Sequence, residues 1–122
     1  MGGRIDDKME LEYYDEIKDD FMNSYDVYMK TTGLNPFVNW FIHDNDLYMT
    51  DEYPVENACH YLAIGSYLIV KDKIKELDNK ILNKIKESYE LISSGKYDKY
   101  FTDKDKKYTK EDIEIIKKSN IF

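Results

Sequence analysis

Val55-Glu56-Asn57-Ala58-Cys59-His60-Tyr61-Leu62-Ala63-Ile64-Gly65-Ser66-Tyr67-Leu68-Ile69-Val70 is the stretch that decides the fold class. Only Glu56, Asn57, His60 and Ser66 are polar in it. A helix apolar over most of its circumference belongs in the middle of a bundle. Tyr53-Pro54 opens it, because proline is pre-set for the first helical turn. Ala58, Ala63 and Gly65 are small and permit close approach of neighbouring helices. A strand over Tyr67–Val70 is the alternative, but no partner strand of comparable quality occurs elsewhere. Gly65 and Ser66 interrupt the apolar run, which is far too short to span a bilayer.

Amphipathic segments lie on both sides. From about Asp7 to Thr31, Tyr14, Ile17, Phe21, Tyr25 and Tyr28 recur at spacings of three and four and share one helix face. Met22 and Met29 widen this stripe. Asp15, Glu16, Asp19, Asp20 and Asp26 take the opposite face. Asp6 and Asp7 sit where carboxylates favour the helix dipole, and Gly33 is a natural stop. Asn35-Pro36 reads as an N-cap followed by proline, predicting a short helix to about Ile42 with Phe37, Trp40 and Phe41 at helical spacing. The stretch His43-Asp44-Asn45-Asp46 is turn-like. Beyond the central helix, Asp78 is placed to cap a helix lined by Ile81, Ile85, Tyr89 and Ile92, with Leu82 beside them and Gly95 after its end. Tyr97, Tyr100 and Phe101 pin the next loop. Residues 103–107 read as solvated, with Thr109 and Asp112 forming a capping box for a last helix whose inner face is Ile113 and Ile116. The expected architecture is all-α: one domain over residues 1–122, a bundle of four to five helices around an apolar central one. Residues 1–6, with Gly2-Gly3-Arg4, read as a disordered end or a cloning remnant.

The chain has 122 residues, one domain's worth. Its single cysteine, Cys59, excludes an internal disulfide framework and a cysteine-rich zinc site. The N-terminal residues lack the apolar core of a signal peptide, so a cytoplasmic protein is expected. The net charge of -7 is uneven. Residues 1–56 hold 14 Asp/Glu against 4 Lys/Arg, and residues 57–122 hold 11 against 14. An acidic half of this kind repels nucleic acid and anionic membranes and speeds encounter with a basic partner.

Catalytic and metal-binding patterns are weak. His43 and His60 are 17 residues apart with no ligand spacing between them. Asp44-x-Asp46 begins like a calcium loop, but Met49 and Val55 stand where such a loop needs Gly and Glu. Cys59 and His60 are adjacent, so on a helix they point about 100° apart and do not form a nucleophile–base pair. Neither a phosphate-binding glycine loop nor a nucleophile elbow occurs. No cofactor, metal or catalytic residue is expected. Tyr13, Tyr48 and Tyr53 fall off the apolar stripes and lie near Asp15, Asp46, Asp51 and Glu52. Tyrosine among carboxylates suits a binder of basic surfaces, with rings as anchors and acids for steering.

The order of these features resembles a known family. A Tyr-rich acidic helix leads through an acidic linker to Ala58-Cys59-His60-Tyr61-Leu62-Ala63-Ile64-Gly65-Ser66-Tyr67. A charged break precedes Ile81-Leu82-Asn83-Lys84-Ile85-Lys86, closing in Ile92-Ser93-Ser94-Gly95 and an aromatic. Over Leu11 to Phe101 this looks like the small helical immunity proteins of bacterial polymorphic-toxin systems, in particular the third numbered immunity family. His60 or Tyr61, and Tyr100 or Phe101, stand where those proteins usually carry tryptophan. The resemblance implies inhibition of a cognate toxin, often a nuclease, by tight binding and without catalysis. The expected partner is therefore a basic toxin domain, met by Asp15, Asp19, Asp20, Asp26, Asp44, Asp46, Asp51 and Glu52 for steering and by Tyr13, Tyr48 and Tyr53 as anchors. The alternative is a phage or mobile-element inhibitor that mimics DNA toward a host nucleic-acid-binding defence protein. Exposed Tyr13 or Tyr53 would equally serve a homodimer.

Overall fold

A computed structural model describes residues 13–47 and 53–122. Among them are five α-helices: α1 Tyr14–Thr32, α2 Leu34–Asp44, α3 Pro54–Val70, α4 Asn79–Ser93 and α5 Asp103–Ser119. Single 3-10 turns at Ile74–Glu76 and Asp98–Tyr100 sit in the two later connections. The chain is all-α, as its periodicity predicts, and no strand occurs among the described residues.

Helix α3 is the axis. It packs against α1, α4 and α5, and every residue from Asn57 to Leu68 is buried. The apolar core divides along its length. Towards its start, Ala58, Cys59, Leu62 and Ala63 meet Tyr14 and Ile17 of α1, Ile92 of α4, Ile116 of α5, and Tyr97 and Phe101 of the connecting loop. Towards its end, Tyr61, Ile64, Tyr67 and Leu68 meet Phe21, the α2 residues Phe37, Val38 and Phe41, and Ile81 and Ile85 of α4. Phe21 packs edge-on against Phe41 at 5.1 Å and against Tyr67 at 5.9 Å. Such aromatic contacts add to the area they bury. Gly65 sits at the tightest approach. A Cβ there would lie 2.5 Å from Ile85 Cγ2, so α4 packs this closely on α3 because no side chain stands at this position, while Ile116 Cδ1 of α5, at 3.7 Å, would be in ordinary contact.

Local expectations fail at three helix ends. Helix α2 begins at Leu34, not after an Asn35 cap. Gly33, at φ 89°, both stops α1 through its N–H to Met29 O and accepts from Phe37 N as the cap of α2. Asn35 instead reaches across the molecule, donating to Glu76 O and accepting from Asp78 N, each at 2.9 Å. Asp78 holds the N-cap position of α4, but its side chain makes no capping bond. The largest difference is α5, which starts at Asp103, six residues before the expected cap at Thr109. Thr102 is the N-cap, in a reciprocal box with Asp105. Residues 103–107 are thus the helix's first turn, and Asp105, Thr109 and Asp112 are buried. The expected start of α1 near Asp7, with Asp6 and Asp7 as dipole partners, and the expectation for residues 1–6 lie outside the described residues.

Helices α2 and α3 end alike. Leu47 N bonds Ile42 O and Asp46 N bonds His43 O, while Lys73 N bonds Leu68 O and Asp72 N bonds Ile69 O. This double closure is the Schellman motif, whose C′ residue is left-handed and usually glycine. Here aspartates fill it, Asp46 at φ 54° and Asp72 at φ 57°.

Candidate functional site

The exposed side of α1 follows from its buried side. Tyr14, Ile17 and Phe21 face the core, so Glu16, Asp19, Asp20, Asn23 and Asp26, offset by about half a turn, face water. They form one acidic ridge running up the helix, exposed along its length. The three salt bridges among the described residues involve Asp112, Glu76 and Asp15. Asp19, Asp20 and Asp26 are in none of them.

Two buried aspartates of α5 shape this ridge from beneath. Asp112, 1 % exposed, accepts from the Tyr14 hydroxyl at 2.5 Å and from Lys18 Nζ at 2.6 Å. Buried carboxylates persist where charge and lone pairs are both satisfied, and this one has both partners on α1. The same contact draws Lys18, the basic residue that stands between Glu16 and Asp19 in α1, away from the acids. Burial, then the Asp112 charge, pushes the Tyr14 hydroxyl well above its ordinary range. Asp105 accepts from Thr102 N at 3.1 Å and from Tyr14 N at 2.9 Å, so one carboxylate caps the starts of both α5 and α1.

The expected contact residues separate into groups. Asp19, Asp20 and Asp26 stand together on the ridge. Asp15 does not stand free with them. It is half-buried and paired to Lys104 Nζ at 2.8 Å. That hydrogen bond holds the Asp15 carboxyl below its ordinary range and raises the Lys104 ammonium. Tyr13, 51 % exposed, is the N-cap residue of α1. Asp44 ends α2 and is exposed, while Asp46 is exposed but also closes that helix. Tyr53, exposed, precedes α3, and its carbonyl accepts from Asn57 N. Tyr48, Asp51 and Glu52 lie outside the described residues.

Tyr28, expected on the apolar stripe of α1, and Trp40, expected at helical spacing with Phe37 and Phe41, are 45 % and 43 % exposed. One turn earlier, Tyr25 still reaches Tyr67 of α3, with ring centroids 5.2 Å apart. Tyr28 lies past that cover and meets Trp40 of α2 at 5.1 Å. With Thr32 and the buried Phe37 they line an open groove of about 370 Å³. Periodicity shows which face is apolar. It does not show where the covering helix ends.

Among the described residues, no group of three or more His, Cys, Asp or Glu converges as a metal site. Cys59 is fully buried, and burial raises its thiol far above the usual range, so it is protonated at neutral pH and poorly nucleophilic. His60 is buried, with Nδ1 on Glu56 O at 2.8 Å. No helix among the described residues is long and apolar enough to cross a membrane. Compared with protein-family models, curated proteins and solved structures, the chain finds no match in any of the three.

Proposed function

We propose that this chain is a non-catalytic, immunity-type inhibitor that neutralises a basic toxin domain by covering it with the exposed face of α1. The observation that carries this reading is the ridge of Glu16, Asp19, Asp20 and Asp26. These carboxylates share one exposed face, and Asp19, Asp20 and Asp26 have no ion-pair partner among the described residues. Fixed charge of one sign on a rigid helix raises association rates with a basic surface and discriminates against acidic ones. The toxin as target comes from the family resemblance of the sequence. Lys80, Lys86, Lys110, Lys117 and Lys118, exposed on α4 and α5, weigh against a DNA mimic, which gains nothing from them.

The test pairs the chain with any toxin domain that a neighbouring reading frame is found to encode. Co-expression should restore growth, and the purified pair should associate without turnover of either. Changing Asp19, Asp20 and Asp26 together to Asn should slow association roughly tenfold at low salt and flatten its salt dependence. Asp46 is left intact because it holds the end of α2. Unchanged association kinetics in the triple variant would remove the acidic ridge from the mechanism. Failure of any such toxin to bind would remove the immunity reading.

A further inference from the structure

Three tyrosines in this chain already carry a cation of their own. Lys71 lies 5.4 Å from the ring centre of Tyr67, Lys99 lies 5.2 Å from that of Tyr100, and Lys107 lies 5.8 Å from that of Tyr108. None of these contacts, among the described residues, falls on Tyr28 or Trp40, which are 45 % and 43 % exposed. Their rings touch at a 57° tilt and form one wall of the groove, with Phe37 and Thr32 completing it. Asp44 lies four residues after Trp40 on α2 and is exposed with it, a spacing that places the two side chains side by side on a helix. The ridge of α1 carboxylates belongs to the same helix as Tyr28 but lies on its opposite face, so Asp44 is the carboxylate near the groove.

We infer that this groove seats an arginine side chain of the basic partner, its guanidinium stacked on Trp40 and Tyr28 and its outer edge turned toward Asp44. This rests on the acidic-face reading above and adds an anchor to it. Charge selects the occupant. An apolar groove with the exposed carboxylate of Asp44 one helical turn from Trp40, on a chain of net charge -7, favours a cationic guest over a neutral one. Shape selects arginine over lysine. Its planar guanidinium stacks on ring faces while its edge still donates to a carboxylate, which a rounded ammonium does not do. Trp and Tyr are also the residue types enriched among binding anchors.

Trp40 is the chain's single tryptophan and reports on its own site. Tetra-arginine amide, titrated against the full chain, should change Trp40 emission saturably, and the neutral isostere tetra-citrulline amide should not. Tyr28→Ala should weaken tetra-arginine binding about five- to thirtyfold, Tyr28→Phe should stay within about twofold, and Asp44→Asn should lose about threefold. Far-ultraviolet circular dichroism shows that each variant is folded. Equal response to citrulline, or equal affinity of Tyr28→Ala and wild type, overturns the inference. So does a concentration-dependent Trp40 change without peptide accompanied by a doubled mass, which makes a second copy the occupant. Peptide binding with silent Trp40 emission defeats the groove and leaves the acidic face standing. A Trp40 response unaffected, in affinity and salt dependence, by Asn at Asp19, Asp20 and Asp26 supports the groove and defeats the acidic face.

Discussion

Replacing Asp105 by Ala should cost far more than an ordinary polar substitution. Its carboxylate accepts two backbone N–H groups, from Thr102 at 3.1 Å and from Tyr14 at 2.9 Å. Tyr14 is the first residue of α1 and is buried. Its N–H is one of the orphan donors of a helix start, with no intrahelical acceptor. Without Asp105 that donor loses its acceptor in the protein interior, worth about 1–3 kcal/mol. The capping box loses its reciprocal half, about 1 kcal/mol more. The expected loss is therefore about 2–4 kcal/mol, from a total that for a domain of this size is about 5–15 kcal/mol. Asp105→Asn keeps the shape and one acceptor oxygen, so it should lose about half as much. Urea unfolding followed by circular dichroism gives both values, and the midpoint should fall with an unchanged slope. Thr102→Ala should lose only the box. Combining it with Asp105→Ala should be less than additive, since the two share one hydrogen-bond pair. An Asp105→Ala unfolding free energy within about 0.5 kcal/mol of wild type, the order of accuracy of such measurements, would show that Asp105 does not join the two helices.

Other substitutions test the packing and the titration. Gly65→Ala should lose about 1–2 kcal/mol despite the better helix propensity of alanine, because its Cβ would lie 2.5 Å from Ile85 Cγ2. Adding Ile85→Leu, which removes that branch, should recover part of the loss in the same unfolding assay. Asp72→Gly should raise stability by about 0.5 kcal/mol, since Asp72 is exposed and held at φ 57°, where a side chain is strained. A lower thermal midpoint for this variant would contradict the assigned cap. Stability should also fall in alkali. Burial, followed by the Asp112 charge for Tyr14 and by Asp105 and Glu56 for Cys59, raises both groups in the folded chain. Unfolded Cys and Tyr ionise near about 8.5 and 10. Their contribution is therefore intact below those values and is lost as pH rises, by about 1.4 kcal/mol per pH unit for each proton released on unfolding. Urea midpoints between pH 8 and pH 11 should show this decline. Tyr14→Phe and Cys59→Ala should each make it shallower, and flat midpoints across the range would refute it.

The contrast between α3 and α5 explains what the sequence makes legible. Helix α3 is apolar around its circumference, so its type, limits and central position follow from residue character alone. Helix α5 turns Asp105, Thr109 and Asp112 inward. A polar inner face carries no hydrophobic period, so the pattern shows only the end of the helix, at Ile113 and Ile116. Thr102-x-x-Asp105 and Thr109-x-x-Asp112 fit the same capping box, two turns apart, and local sequence does not rank them. The partner of Asp105 that decides the matter is the backbone of Tyr14, 91 residues away. Asn35 misleads for the same reason, because its side chain satisfies a connection some forty residues on. At the candidate site, the exposed face of α1 is legible as the complement of its apolar stripe. The pairing of Asp15, the helix-closing role of Asp46 and the uncovered rings of Tyr28 and Trp40 all depend on what other elements do.

Those dependencies change how the acidity should be counted. The formal excess of carboxylates in residues 1–56 treats every Asp and Lys as equally available. In the folded chain α5 redistributes them. Lys104 engages Asp15, which removes one acid from the α1 surface. Asp112 engages Lys18, which removes the base that interrupts the acids along α1. The second exchange matters more for recognition. A lysine between Glu16 and Asp19 at the surface would compete for these carboxylates and blunt the field they present. Held against the buried Asp112, which also accepts from the Tyr14 hydroxyl, it stabilises the α1–α5 contact instead, and the ridge from Glu16 to Asp26 presents one sign of charge. The polar inner face of α5 that hid the helix from sequence reading is thus also what keeps the outer face of α1 acidic. A partner steered by that ridge senses α5 through the position of Lys18, although α5 need not touch it.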